Sequence, residues 1–156
     1  MVGHLEVGTC NHVRMDSSRT GGRRALQVTV GILAVIPFAS GLAGMLTGPA
    51  TLPGDPSTVT ATIDGEYRFV NAFWFATAPI LWMALPRIEQ KSSIIRTALG
   101  TAFLGGLARL ISWRRIGRPH GIFLAAIGLE LLGMPALTIW HARVASIARS
   151  RLSEQR

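Results

Sequence analysis

Long apolar stretches, separated by short polar connections, dominate the chain from residue 25 onward. Four such stretches cover residues 25–47, 69–85, 94–113 and 122–140. A bilayer core of about 30 Å requires roughly 20 helical residues, and a helix satisfies its own backbone hydrogen bonds in lipid. The pattern therefore predicts an all-α fold, an integral membrane antiparallel four-helix bundle.

The polar segments divide the chain into one membrane domain and two tails. From its length we expect a single four-span domain over residues 23–142. The connection at 48–68 is rich in Pro, Gly and Thr, which predicts an extracytoplasmic loop built from turns. Residues 1–22 are expected to form a disordered cytoplasmic tail, with Met15 as an alternative start. Residues 143–156 are expected to form a basic cytoplasmic tail.

Basic residues indicate the orientation, because cytoplasmic loops of membrane proteins are enriched in Lys and Arg. With a cytoplasmic N-terminus, eleven basic residues lie inside and four lie outside. We therefore expect a multi-pass protein of the cell (inner) membrane with both termini in the cytoplasm. The basic loop WRRIGRPH, residues 113–120, opposes this count. Placing it inside would require three spans, with the short stretch 69–85 outside the bilayer.

The first stretch also has to be distinguished from a cleaved signal peptide. Arg23 and Arg24 precede it, and small residues follow its apolar part. That apolar part is longer than the 7–15 residues typical of a signal, and three more apolar stretches follow. A retained first span is therefore the better interpretation.

Composition agrees with a membrane domain and disfavours several other classes. Of the 156 residues, 49% are hydrophobic and 15% are charged, against about a quarter charged in soluble domains. The net charge of +8 comes from basic residues dispersed at span ends, so we expect the lipid bilayer as partner and no nucleic acid. Cys10 is the single cysteine, which excludes an internal disulfide and a cysteine zinc cluster.

Proline lies inside three of the predicted spans, at Pro37, Pro79 and Pro135. Proline lacks the N–H that a helix interior requires, but membrane helices tolerate it because neighbouring groups satisfy the freed carbonyl. We therefore expect kinks in the first, second and fourth spans.

Two opposite charges fall inside predicted spans, Arg109 in the third and Glu130 in the fourth. A charge near the bilayer centre costs at least about 2.5 kcal/mol. Cα–Cβ bonds tilt towards the helix N-terminus, so side chains on antiparallel neighbours lean towards a common level. We therefore expect an ion pair between Arg109 and Glu130, direct or through water. Snorkelling of Arg109 to the headgroups is the alternative.

Further polar residues are expected at the same depth as the pair. Arg68 and Asn71 open the second span, and Ser112 lies one turn beyond Arg109. Together these residues predict a polar cluster in the outer half of the bundle. Two interpretations stay open: a structural lock between helices, or a site that binds a small anionic or lipid-like ligand or handles protons.

Small residues recur at the spacing that membrane helices use for close packing. Among them, five glycines are predicted to lie at helix contacts: Gly44, Gly48, Gly105, Gly106 and Gly133. Contacts within one bundle are the favoured interpretation. Homodimerisation through the first span is the alternative, and the sequence does not determine the oligomeric state.

Three segments together carry a family resemblance: EYRFVNAFWFATAP at 66–79, FLGGLARLISWRRIGRPH at 103–120 and LELLGMPAL at 129–137. Their succession of Gly-Gly-x-x-Arg, Gly-x-Pro and Glu-x-x-x-x-Pro resembles the family called domain of unknown function 4345, over about residues 25–142. The resemblance implies a small four-helix polytopic bacterial membrane protein of unassigned activity. It supplies no substrate and no catalytic residues.

Two functional hypotheses follow from these observations. The first is a non-enzymatic accessory or small-ligand- or lipid-binding module that uses the Arg/Glu polar cluster. The alternative is a small proton-coupled carrier, in which Glu130 is the protonatable group beside the backbone carbonyl freed by Pro135.

An enzyme is disfavoured, because no cofactor or metal ligand set is recognisable. His120 and His141 lie outside the predicted bundle interior, and a Ser112, Glu130 and His120 hydrolase has no specific spacing to support it. We therefore expect no catalytic residue, no cofactor and no metal site.

Overall fold

The computed structural model describes residues 21–54 and 59–154, with side chains up to residue 150. Its regular structure is entirely helical over these ranges. The long helices are α1 (Gly21–Thr47), α2 (Ala61–Ala84) and α3 (Ser92–Ile116). The fourth, called α4 here, consists of the α-helical Gly121–Gly128, a π-helical turn at Leu129–Gly133 and the α-helical Met134–Glu154. Short 3₁₀ turns follow α1 at Pro49–Thr51 and α2 at Leu85–Arg87.

The four helices are each long and apolar enough to cross a membrane. Large apolar side chains such as Phe73, Leu104 and Leu132 lie exposed on their surfaces, as lipid-facing positions require. The predicted all-α architecture with four candidate spans is confirmed, and the chain is compatible with a multi-pass membrane protein. The assignment to the cell membrane and the cytoplasmic termini remain predictions.

The helices pack as two hairpins, α1 along α2 and α3 along α4. We call the end with the α3–α4 loop, residues 117–120, the distal end, and the end with the α2–α3 loop, residues 88–91, the proximal end. The continuous apolar core draws on all four helices in the proximal half: Leu26, Val30, Ala34, Ala78, Leu81, Ala84, Ile88, Ile95, Leu99, Ala102, Met134 and Leu137. The helices pack more extensively within each hairpin than between the two hairpins.

Helix α2 begins at Ala61, eight residues before the predicted start of the second span. The Thr60 hydroxyl accepts a hydrogen bond from the Ile63 N–H at 3.3 Å, and Asp64 lies in the first turn. Both features stabilise a helix start. Residues 61–68, which the sequence assigns to the loop, are therefore helical.

Most of one predicted tail is helical, and most of the other lies outside the described residues. The α-helical part of α4 continues to Glu154, so most of the predicted basic tail 143–156 is helical. Residues 1–20, which make up nearly all of the predicted disordered tail, lie outside the described residues, as do 55–58 and 155–156.

The three prolines have different local effects. A turn interrupts α1 at Ala34, three residues before Pro37, and a π-helical turn ends two residues before Pro135. Helix α2 continues through Pro79 without interruption. The irregularities before Pro37 and Pro135 have a common cause, because proline removes an N–H donor and crowds the carbonyl four residues earlier.

Candidate functional site

Arg109 and Glu130 face each other across the α3–α4 hairpin. The Arg109 Nε atom lies 3.3 Å from Glu130 Oε2. The Glu130 side chain is only 9% exposed, whereas that of Arg109 is 40% exposed. The two charges that the sequence predicts to lie close together are therefore in direct contact. The carboxylate is buried, and the guanidinium reaches from the helix contact towards a more open region.

Gly106 allows the two helices to approach at the level of the pair. A Cβ atom at Gly106 would lie 2.7 Å from Glu130 Cβ and 3.1 Å from Leu131 Cδ2. Real Cβ atoms do not approach a neighbour so closely, so a side chain here would force α3 and α4 apart. The bare glycine thus brings the carboxylate within reach of Arg109, one helical turn further along α3.

The other glycines predicted at helix contacts have different roles. Gly105 points about 100° away from Gly106, and a Cβ there would meet nothing within 4 Å, so it does not pack within the bundle. Gly133 faces the Leu129 side chain of its own π-helical turn. Gly44 lies against the Asn71 side chain, and Gly48 ends α1 with a φ of 70° beside Arg68. These two pack α1 against α2.

The π-helical turn Leu129–Gly133 contains Glu130. The Met134 N–H donates to the carbonyl of Leu129, five residues earlier. Pro135 explains this widening, because its ring lacks an N–H and crowds the preceding turn. π-Helical turns are frequently found at functional sites. Glu130 Oε2 accepts no hydrogen bond from any described residue. Among these residues, its negative charge is balanced by the guanidinium of Arg109.

A cavity of about 460 Å³ opens beside the pair at the distal end. Its lining comes from α3, the α3–α4 loop and the start of α4: Arg109, Ser112, Trp113, Ile116, Gly117, Arg118, Pro119, Phe123 and Ile127. The Arg109 Cζ atom lies 5.7 Å from the centre of the Phe123 ring, within the range of a cation–π contact. The cavity therefore combines two cationic side chains with an apolar wall.

Arg68 and Asn71 are engaged at the α1–α2 contact. Arg68 Nε lies 2.7 Å from Asp64 Oδ2, and its Nη1 donates to the Met45 carbonyl at 2.5 Å and the Leu46 carbonyl at 3.0 Å. The Asn71 amide donates to the Tyr67 carbonyl at 2.8 Å.

The polar groups predicted to form one cluster are thus organised as two sites. Ser112 lines the distal cavity together with Arg109, while Arg68 binds the end of α1. The cause is pairwise packing, because α2 pairs with α1 and directs Arg68 towards that helix. The carbonyls that Arg68 binds lie in the last turn of α1, where intrahelical donors are lacking.

The sequence did not predict that Arg118 lines the cavity, and it did not predict the polar contacts of His141 and Arg23 at the proximal end. The sequence places Arg118 in the basic loop 113–120, and spacing alone does not show where its side chain points after the turn at Gly117. At the proximal end His141 is fully buried, and its Nε2 lies 3.0 Å from the Ile88 carbonyl. Arg23 Nε lies 2.7 Å from Glu89 Oε1, which ties α1 to the α2–α3 loop.

The described residues contain no group of three or more His, Cys, Asp or Glu side chains that could hold a metal ion. The chemistry available at the distal site is therefore that of one buried carboxylate, two guanidinium groups, a hydroxyl and aromatic rings. Such a set suits anion recognition and proton binding.

Comparison with known proteins gives one match. The model of the family described as Domain of unknown function (DUF4345) matches residues 25–141, which is most of the chain. This match confirms the family expected from the sequence. No curated protein and no solved structure matches the chain.

Proposed function

The chain belongs to the DUF4345 family, whose function is unknown, and from the distal cavity we propose that it is a non-enzymatic membrane module that binds an anionic amphiphile. The ligand class is a small negatively charged head with an apolar tail, such as a lipid or a single-chain carboxylate or phosphate. The observation that carries the proposal is a half-buried Arg109 on the wall of a cavity of about 460 Å³.

Arg109 retains donors for such a ligand. A guanidinium has five N–H donors in a planar fork, and the Arg109 atom in the ion contact with Glu130 is Nε. The two terminal nitrogens suit bidentate binding of a carboxylate or phosphate. Arg118 adds a second positive charge on the same cavity wall.

The remaining wall suits the apolar part of an amphiphile. Trp113, Ile116, Phe123 and Ile127 line the cavity beside the two arginines. Small-molecule sites commonly measure about 300–1,000 Å³ and are mostly apolar with a few polar groups that fix orientation. Size and composition therefore agree with a headgroup together with the first part of a chain.

The test uses purified protein in a neutral detergent and follows thermal unfolding with decanesulfonate, whose head stays anionic over the working pH range. Decanol supplies the tail without the charge, and methanesulfonate supplies the charge without the tail. At ten times its Kd the probe should stabilise the protein by about 1.4 kcal/mol. Methanesulfonate acting equally well would identify a free anion as the ligand, and no shift with any of the three would refute the proposal.

Two variants and a matched control locate the binding site. Arg109→Gln should weaken binding ten- to hundredfold, because a hydrogen bond to a charged group contributes about 1.5–3 kcal/mol. Arg118→Gln should weaken it while leaving the contact with Glu130 in place. Arg115→Gln removes an exposed arginine at the same end of α3 that does not line the cavity, so its affinity should equal the wild type. Equal affinity in all three variants would place the probe elsewhere.

A proton-coupled carrier is the second candidate function. The observation that favours it is the buried Glu130, located in a π-helical turn and with an oxygen that accepts no hydrogen bond from the described chain. In proteoliposomes, uptake of decanesulfonate should follow an imposed pH gradient and be lost in Glu130→Gln. Uptake that changes neither with the pH gradient nor in Glu130→Gln would refute the carrier hypothesis.

A further inference from the structure

Arg109 lies between two places where a negative charge can be bound. Its Nε contacts the buried carboxylate of Glu130, while the side chain also lines the distal cavity. Glu130 itself is not among the residues that line the cavity. An anion in the cavity would therefore approach the same guanidinium that neutralises Glu130, from a different side.

Charged and titratable groups near Glu130 are few on every element packed against it. From α3 the guanidinium of Arg109 contacts it, and Gly106 contributes no side chain. On α2 the ion pair at the distal end is that of Arg68 and Asp64, which is directed at the end of α1.

The α3–α4 loop contributes two further groups at the distal end. Arg118 lines the cavity, and His120 caps the start of α4 by accepting the Ile122 N–H at 3.4 Å. Neither forms an ion pair with Glu130, whose ion contact in the described structure is with Arg109. Glu130 therefore depends on one shared cation.

A shared cation has a consequence when a second anion arrives. The Glu130 side chain is buried and its Oε2 accepts no hydrogen bond from the described residues, so loss of part of its counter-charge leaves a poorly solvated negative charge. Two anions on one guanidinium also repel each other in a medium of low dielectric constant. Protonation of the carboxylate removes both penalties.

We propose that an anionic ligand binding at Arg109 is coupled to the uptake of one proton by Glu130. The inference rests on the proposed function, because it concerns the same cavity and the same class of ligand. In this exchange one anion and one proton enter the site together. The Arg109–Glu130 ion pair is replaced by an ion pair between Arg109 and the ligand, and Glu130 becomes a neutral carboxylic acid. The net charge of the site is therefore the same before and after binding.

The test measures proton uptake directly. Titration calorimetry with decanesulfonate at one pH, in two buffers of different ionisation enthalpy, gives the number of protons bound per probe. The wild type should take up about one proton, and its affinity should weaken by up to about tenfold per pH unit as the pH rises. Binding without proton uptake and without pH dependence would overturn the inference and leave the proposed function intact.

Variants assign the proton to one group. Glu130→Gln should bind the probe with no proton uptake and with an affinity that does not change with pH. Glu66→Gln, which neutralises an exposed carboxylate near the same end, should retain the wild-type proton count. Retention of proton uptake in Glu130→Gln would overturn the assignment, and a wild type that binds no probe at any pH would refute the proposed function itself.

Discussion

Replacement of Gly106 by alanine tests the close approach of α3 and α4, on which the whole site depends. The added methyl group would lie 2.7 Å from Glu130 Cβ and 3.1–3.2 Å from the Leu131 side chain. Carbon atoms in contact prefer about 3.5–4.0 Å. The helices must therefore separate by roughly 1 Å at this level, which weakens both the packing and the Arg109–Glu130 contact.

The expected loss follows from the cost of overpacking. Inserting a methyl group into a well-packed contact typically costs about 1–3 kcal/mol. The higher helix propensity of alanine contributes at most about 1 kcal/mol in the opposite direction. We expect Gly106→Ala to lower the free energy of unfolding by up to about 2 kcal/mol, which is the overpacking cost less the full gain in helix propensity.

The neighbouring glycine provides a matched control for this substitution. Gly105→Ala adds the same methyl group to the same helix, where nothing lies within 4 Å, so its stability should be unchanged or higher. The measurement is unfolding by sodium dodecyl sulfate in mixed micelles, followed by circular dichroism. Equal stability of the two variants, or a greater loss in Gly105→Ala, would refute the packing assigned to Gly106.

Three further substitutions should lower stability in the same titration. Gly41→Ala should lower it by more than Gly106→Ala, because its Cβ would lie 2.6 Å from the backbone nitrogen of Phe75, which cannot rotate away; a neutral result would contradict the α1–α2 packing. His141→Leu should cost about 1–3 kcal/mol by leaving the Ile88 carbonyl without its partner, and an unchanged stability would argue against that bond. Arg68→Gln should cost about 1 kcal/mol through the loss of donors to the end of α1, whereas a gain would contradict their role.

The sequence was sufficient to predict the contact between Arg109 and Glu130. Two charges in consecutive apolar spans require neutralisation, and a short loop makes their helices antiparallel neighbours. The tilt of side chains towards each helix N-terminus brought the two to one level. The depth of a residue in the bilayer and the direction of its helix both follow from the positions of the apolar spans in the sequence, so the sequence alone predicts this contact.

Other features depend on how each helix is rotated about its own axis and on which helices pack together. The spacing of residues in the sequence does not determine either property. Arg68 was expected beside Arg109, but α2 pairs with α1 and Arg68 binds there. The doublet of Gly105 and Gly106 reads as one packing motif, yet only Gly106 faces α4. The π-helical turn at Leu129–Gly133 also changes the direction in which side chains along α4 point.

A double-mutant cycle at the ion pair, measured as unfolding free energy in lipid bilayer discs, tests whether Arg109 and Glu130 neutralise each other inside the membrane. Arg109→Gln leaves a buried carboxylate without its cation, and Glu130→Gln leaves the cation without its anion. Each single substitution should cost roughly 2–3 kcal/mol, which is less than the 3–5 kcal/mol typical of a fully buried pair because Arg109 is partly exposed. The double variant should cost at least about 1 kcal/mol less than the sum of the two. Losses that add to within about 0.5 kcal/mol would show that the two groups do not interact in the membrane, and would contradict the account.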